Sequence, residues 1–152
     1  MDRYNKKILV ELQKNARISY TDLGKKIGLS GPAVKERVQK LEDEGVIKGY
    51  TTRLDLSKLG YSLTAFINFK MNPGNINRFI NKLKNMPEVI ESHRITGGDN
   101  MILKVALKDT RELEKLINTF IEYGVPTTSI ILSTPIENKI PKLDWEALSW
   151  QR

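Results

Sequence analysis

Residues 19–49, SYTDLGKKIGLSGPAVKERVQKLEDEGVIKG, read as two short helices joined by a tight turn, the second basic and presented outward. Ser19 and Asp22 have the spacing of a capping box, in which a hydroxyl takes an orphan amide at the helix start and the acid reaches back. A helix therefore opens at Ser19, Gly28 closes it, and Leu29 is the apolar residue of the turn. Ser30 is a natural cap for the second helix, with Pro32 near its first position, where a missing N–H does no harm. That helix covers 31–44 and stops at Gly45.

At about 3.6 residues per turn, Val34, Val38 and Leu41 share one narrow face, and Pro32, Ala33, Glu36, Gln39 and Lys40 lie roughly opposite, flanked by Lys35 and Arg37. The narrow face is enough to seat the helix against Leu23, Ile27 and the helix before it. Its N-terminal half is left free to enter a DNA major groove, which is how a helix-turn-helix docks. On that reading Lys35, Arg37 and Lys40 supply phosphate or groove contacts, Arg37 foremost, while Ser30, Gly31, Pro32 and Ala33 bring the helix N-terminus close to the DNA backbone. Glu36 either reads a cytosine amino group or pairs with Lys40 one turn on. The same spacing also fits a plain helical hairpin inside a core.

The 152 residues suffice for one ordinary domain or two small ones, and 39% apolar with 28% charged side chains is a globular balance. A net charge of +7 favours a polyanionic partner, though an anionic membrane attracts the same surface. Residues 1–54 hold 12 Lys and Arg against 7 Asp and Glu, so most of the excess travels with the helix-turn-helix. With no cysteine, disulfides and thiolate metal sites are excluded. The opening MDRYNKKILVELQKN interleaves charges with apolar residues and no run reaches membrane length, so a soluble, cytoplasmic protein without a signal peptide is expected.

Residues 2–14 form a first helix with Ile8, Leu9 and Leu12 on one face, completing a three-helix unit. Residues 46–54, VIKGYTTRL, turn to β-type composition and read as a strand or a wing-like linker, and 56–60 as a short turn at the domain boundary. From Tyr61 the pattern becomes strand, helix, strand, strand, helix, strand. Leu63, Ala65, Ile67, Phe69 and Met71 alternate with polar residues up to Pro73 and Gly74. Ile76, Phe79, Ile80 and Leu83 mark a helix, 89–96 a second strand, and Met101, Leu103, Val105 and Leu107 the inward side of a third. Asp109 and Glu112 cap a helix facing inward with Leu113, Leu116, Ile117, Phe120 and Ile121, stopped at Gly124, and 127–134 is the fourth strand.

The order β-α-β-β-α-β is that of a ferredoxin-like fold, an antiparallel sheet with both helices on one side. The expected class is thus α+β: a winged helix-turn-helix unit at 1–50, a hinge at 51–61, a ferredoxin-like domain at 62–135 and a tail at 136–152. The bare face, with Phe66, Ile90 and Ile131, needs a cover, and pairing with an identical sheet is the simplest closed solution. The tail, with Trp145 and Trp150, is expected to pack on this sheet or a neighbour. No catalytic constellation is present: His93 is the only histidine and suits a structural or surface role, and Gly97–Gly98 lacks a phosphate-loop context, so no enzyme and no cofactor is expected.

ISYTDLGKKIGLSGPAVKERVQKLEDEGVIKGY, then LGY at 59–61, HRITG at 93–97 and TSIILST at 128–134, in this order, closely resemble the Lrp/AsnC (feast/famine) family of transcription regulators over 2–135. The resemblance implies a double-stranded DNA partner and an effector domain that dimerises through its sheet, often assembling further into octamers. It also implies a small effector, usually an amino acid, bound between neighbouring dimers. The chain departs from the family's G-x-x-D pattern, with Asn100 at its end and Asp99 one place earlier.

The effector is expected at the turn Gly97, Gly98, Asp99 and Asn100, with Thr127, Thr128 and Ser129 contributing. Glycines let backbone amides converge on an α-carboxylate, and Asp99 or the Asn100 carbonyl accepts from an α-amino group. The alternative for these residues is a plain hairpin turn. For the whole chain the alternative is an architectural protein that wraps or bridges DNA without an effector.

Overall fold

Each of the three N-terminal helices begins at a side chain that satisfies its first free amides. Asp2 caps α1 (Arg3–Lys14), accepting from the N–H groups of Tyr4 at 2.9 Å and Asn5 at 2.8 Å. Ser19 caps α2 (Tyr20–Ile27), accepting from the Asp22 N–H at 3.1 Å while its own hydroxyl donates to the Asp22 carboxylate at 2.7 Å. The box thus closes side chain to side chain. Ser30 caps α3 (Gly31–Asp43) through the Ala33 N–H, with Pro32 in the first turn. Gly28 ends α2 in the left-handed region, at φ 80°, where a side chain would be strained. The three helices bury Ile8, Leu12, Leu23, Ile27, Val34, Val38 and Leu41 as one core.

The computed structural model describes residues 1–72 and 74–137, and the chain divides after Arg53 into this helical unit and a second one, Leu54–Glu137. Pro73 and the tail beyond 137, with the packing expected of Trp145 and Trp150, lie outside the described residues. Residues 46–54 form no strand: the Val46 and Ile47 amides both donate to the Leu41 carbonyl, at 2.9 and 3.0 Å, hooking the chain back onto the end of α3. Extended propensity without a partner strand brings no ladder, so the linker alternative is the one realised. A 3-10 turn, Ser57–Leu59, follows.

The second unit runs β1 (Leu63–Met71), α4 (Ile76–Leu83), β2 (Val89–Arg94), β3 (Met101–Leu107), α5 (Thr110–Phe120) and β4 (Gly124–Ile130). Its sheet has the order β2-β3-β1-β4, with antiparallel pairing throughout. Leu63, Ala65, Ile67, Phe69 and Met71 of β1 and Met101, Leu103, Val105 and Leu107 of β3 are buried under Phe79 and Leu83 of α4 and Leu113, Leu116 and Phe120 of α5. Both helices therefore cover one face. Phe79 is the centre of an aromatic group, 4.9 Å from Phe69 and from Tyr123 and 5.1 Å from Phe120, centroid to centroid.

Five expectations are corrected in this unit. The fourth strand begins at Gly124, not at Thr127: a Cβ there would lie 2.2 Å from the Lys70 carbonyl oxygen, and only glycine lets the chain enter the sheet so tightly beside β1. The preceding helix ends in a 3-10 turn, Ile121–Tyr123, which leaves Ile121 57% exposed instead of on the buried face. At its other end β4 stops at Ile130, because past the bond from the Ile131 amide to the Thr64 carbonyl β1 offers no further partner. Likewise β2 ends at Arg94, where Met101 begins its pairing strand. Phe66 is exposed on the uncovered face as expected and Ile131 is half-buried, but Ile90 sits at a bulge in β2 and borders a groove with Ile80 and Leu83 on the helix side. No helix among the described residues is long and apolar enough to cross a membrane.

Candidate DNA interface and effector site

Two glycines bring α2 and α3 together. A Cβ on Gly24 would lie 2.4 Å from the Leu29 carbonyl oxygen, so the turn closes this tightly only because that side chain is missing, and one on Gly31 would make a tight 3.3 Å contact with Thr21 Oγ1. The Leu29 amide donates to the Gly24 carbonyl at 3.0 Å. With Val34, Val38 and Leu41 locked inward, α3 presents an outer row of Pro32, Lys35, Glu36, Gln39, Lys40 and Asp43 along a shallow groove. Ser30 is exposed at the head of this row, and Gly31 and Ala33 are half-buried beside it.

Within the row, Lys35 and Glu36 have no ionic partner among the described residues, and Lys40 lies 3.8 Å from Glu44, not against Glu36. Arg37 stands apart. Its guanidinium donates to the Asp2 carboxylate and, at 2.9 Å, to the Asn5 side-chain carbonyl, and it lies 5.5 Å from the centre of the Tyr4 ring. The structure thus groups Lys35, Glu36 and Lys40 outward and ties Arg37 to the start of α1. The helix is also not basic: Lys35, Arg37 and Lys40 are outnumbered by Glu36, Glu42, Asp43 and Glu44 over 31–44. Sequence reasoning missed Asp2, Tyr4 and Asn5 because nothing periodic links them to a residue more than thirty positions away. It also missed Gly24, whose signal was there as a glycine inside a helical pattern.

At the far end of β2 and β3 the connection is pinned at Asn100. Its N–H donates to the Phe69 carbonyl and its side-chain oxygen accepts from the Met71 N–H, both at 3.0 Å, while its own carbonyl accepts from the Ile95 N–H at 3.2 Å. One acceptor expected to meet an α-amino group is therefore already holding the turn to β1. The amides of Gly97, Gly98 and Asp99 make no backbone hydrogen bond among the described residues, and the half-buried Asp99 carboxylate has no polar partner there. Gly97 has φ +120°, whereas Gly98 has ordinary φ and open space around it.

The β4 residues lie on the other side of β1. Thr127 pairs with Asn68, Thr128 with Ile67 and Ser129 with Phe66. Alternation puts Thr127 and Ser129 on the uncovered face and Thr128 on the helix side, and the intervening strand separates β4 from β3 by roughly 10 Å. One chain does not gather all seven residues into one pocket. His93 is exposed on β2, its Nε2 3.4 Å from Glu91, which also accepts from Lys104 at 3.2 Å. Partial burial alone would raise the Glu91 pKa, but Lys104 and His93 hold it below the ordinary carboxylate value.

A winged helix-turn-helix DNA-binding model matches residues 1–48, and the model of the Lrp/AsnC ligand binding domain matches 64–141. Over 134 residues, 88% of this chain and 95% of the relative, the sequence is 41% identical to the HTH-type transcriptional regulator YezC of Bacillus subtilis. Among solved structures, B. subtilis LrpC has a TM-score of 0.85 at 33% identity, over 91% of this chain and 99% of that one. The transcriptional regulator NMB0573 of Neisseria meningitidis, solved as a complex with L-Met, also has a TM-score of 0.85, at 25% identity over 93% and 96% of the two chains. A helix-turn-helix unit, a ligand-binding ferredoxin-like unit and relatives named as regulators along nearly the whole length agree with one another: the chain is a transcription regulator, not an enzyme, and belongs to the Lrp/AsnC family.

Proposed function

We propose that this regulator reads DNA with the outer row of α3 and that an amino acid bound at the Gly97–Asn100 turn adjusts its assembly and hence its DNA affinity. On the DNA side, Ser30, Gly31, Pro32 and Ala33 lead the helix into the groove, Lys35 and Lys40 meet phosphates or base edges, and Glu36 is free to accept from a cytosine amino group. Arg37 acts at the edge of this contact, from its station against α1.

The observation that carries the effector reading is the turn itself. Three successive amides without a backbone partner among the described residues, and the Asp99 carboxylate, which has no polar partner among them, present both halves of what a zwitterion needs. The L-Met complex of the structural neighbour NMB0573 supports the same ligand class. Since β1 keeps Thr127, Thr128 and Ser129 away from the turn within one chain, these residues would serve a ligand shared with a second copy. A dimer through the face that exposes Phe66, with further multiples built on it, presents recognition helices in pairs. DNA half-sites should then lie about 34 Å apart, or a multiple of that.

Gly98→Val tests the turn. Because Gly98 has ordinary φ and no neighbour within 4 Å of a Cβ, the substitution blocks the amides without straining the fold. Titrating the native protein with a panel of L-amino acids in light scattering and DNA binding should show a response that the variant lacks. A response undiminished in Gly98→Val would remove the effector from this turn, and no response in the native protein would favour the architectural alternative.

A further inference from the structure

The row that faces the DNA groove is not where the positive charge of the helical unit lies. Residues 31–44 carry three basic side chains against four acidic ones, whereas the rest of 1–54 carries nine against three. Part of that excess is gathered on one face. Lys6, Lys7 and Lys14 of α1 and Lys26 of α2 border a groove floored by Val10 and Ile27. Among the described residues a single carboxylate lies beside them: Glu11 accepts from Lys14 Nζ at 2.6 Å through one oxygen and from Lys26 Nζ at 2.9 Å through the other. It fastens α2 to α1 and holds two ammonium groups at the groove while offsetting only one of their charges, so the four lysines and one glutamate among the described lining residues carry a formal +3.

This face points elsewhere than the outer row of α3. Lys6, Val10 and Lys14 are spaced four apart, on the side of α1 turned away from Ile8 and Leu12, which enter the same core as Val34 and Val38 of α3. A duplex that admits α3 therefore does not lay the same phosphates along α1 and α2. At physiological salt a charge is screened beyond about 8 Å, so these lysines act where they touch. Lysines are flexible point charges that neutralise phosphate without reading sequence, and among the described residues no aromatic anchor of the kind protein interfaces favour lines the groove.

We propose that the lysine face of α1 and α2 is a second, sequence-independent DNA contact, taking phosphates that lie outside the segment read by α3. This rests on the docking of α3 proposed above. The test uses a duplex enriched from random DNA by the native protein, once trimmed to the selected site and once with about 40 flanking base pairs on each side, roughly four helical turns. The triple variant Lys7→Gln, Lys14→Gln, Lys26→Gln should match the native protein on the trimmed duplex. On the flanked duplex its slope of log K against log salt should be shallower by about 2.7, at about 0.9 per phosphate contact.

Lys7→Gln alone guards against loss of folding, since Lys7 has no polar partner among the described residues, and should lose about 0.9 of slope on the flanked duplex only. Slopes equal to native on both duplexes would overturn the proposal, and so would an equal fall on both, which would place the lysines on the phosphates α3 already uses. A native protein that bound neither duplex would instead defeat the docking of α3.

Discussion

Arg37 and Asp2 form an ion pair 35 positions apart in sequence that joins the recognition helix to the first cap of the chain. The pair is partly exposed, so its removal should be modest. Arg37→Ala is expected to lower the unfolding free energy by about 1 kcal/mol or less, measured by urea denaturation, and to weaken DNA binding at the edge of the contact. Unchanged stability would mean that the tie to α1 is idle. Acidity gives a second check. The backbone N–H of Asn5 first, and then the guanidinium of Arg37, hold the Asp2 carboxyl below its ordinary 3.8 against the opposing effect of burial. A depressed carboxylate contributes stability that is present above its unfolded value and lost as pH falls through the folded one. The deficit of Asp2→Asn relative to native should therefore be full near neutral pH and shrink once the pH drops below about 4.

At the scale of elements, close approach competes with propensity. Within α2, alanine would beat glycine by up to about 1 kcal/mol on helix propensity. At Gly24 the clash with the Leu29 carbonyl oxygen has the opposite sign, and overpacking typically costs about 1 to 3 kcal/mol. Gly24→Ala is thus expected to destabilise the helical unit and misplace α3, seen as a lower melting midpoint together with lost DNA binding. A variant that melted higher than native would show that the turn relaxes freely. In the second unit Phe79 touches Phe69, Phe120 and Tyr123 and is fully buried, so Phe79→Ala should cost about 3 to 5 kcal/mol in chemical denaturation.

For the molecule as a whole, the uncovered sheet face is the surface on which the proposed dimer rests. Phe66, 37% exposed between Lys104 of β3 and Ser129 of β4, sits in the middle of that face. Phe66→Glu should yield a folded monomer in light scattering, because it puts a charge in place of the exposed ring at the centre of the uncovered face and Phe66 is not part of the buried core. A dimer that survived it would have to use another surface. On the proposed function, assembly and effector are also linked in both directions. If an amino acid favours one assembly by about 1 to 3 kcal/mol, that assembly must bind the amino acid tighter by the same factor, which calorimetry at two protein concentrations can read.

The sequence by itself determined the elements and their order. Ser19, Ser30 and Asp109 act on the nearest amides, the alternation at 63–71 follows from the two-residue strand period, and neither depends on anything distant. Those local signals also made the α+β class, the helix-turn-helix and the ferredoxin-like order legible. What only the tertiary structure decided concerns pairs of segments. Gly124 reads locally as a helix stop, yet it is the first residue of β4 because the Lys70 carbonyl leaves no room for a Cβ. Thr51 and Thr52 have strand propensity but no partner to pair with. Arg37 looks like an outward cation on a helical wheel until α1 brings Asp2 and Asn5 beside it. The candidate effector residues form two runs, 97–100 and 127–129, whose distance apart no local pattern gives, and β1 runs between the turn at Asn100 and the threonines of β4. A helical wheel or a strand period describes one segment, and steric closeness and hydrogen-bond partnership exist only once two segments meet.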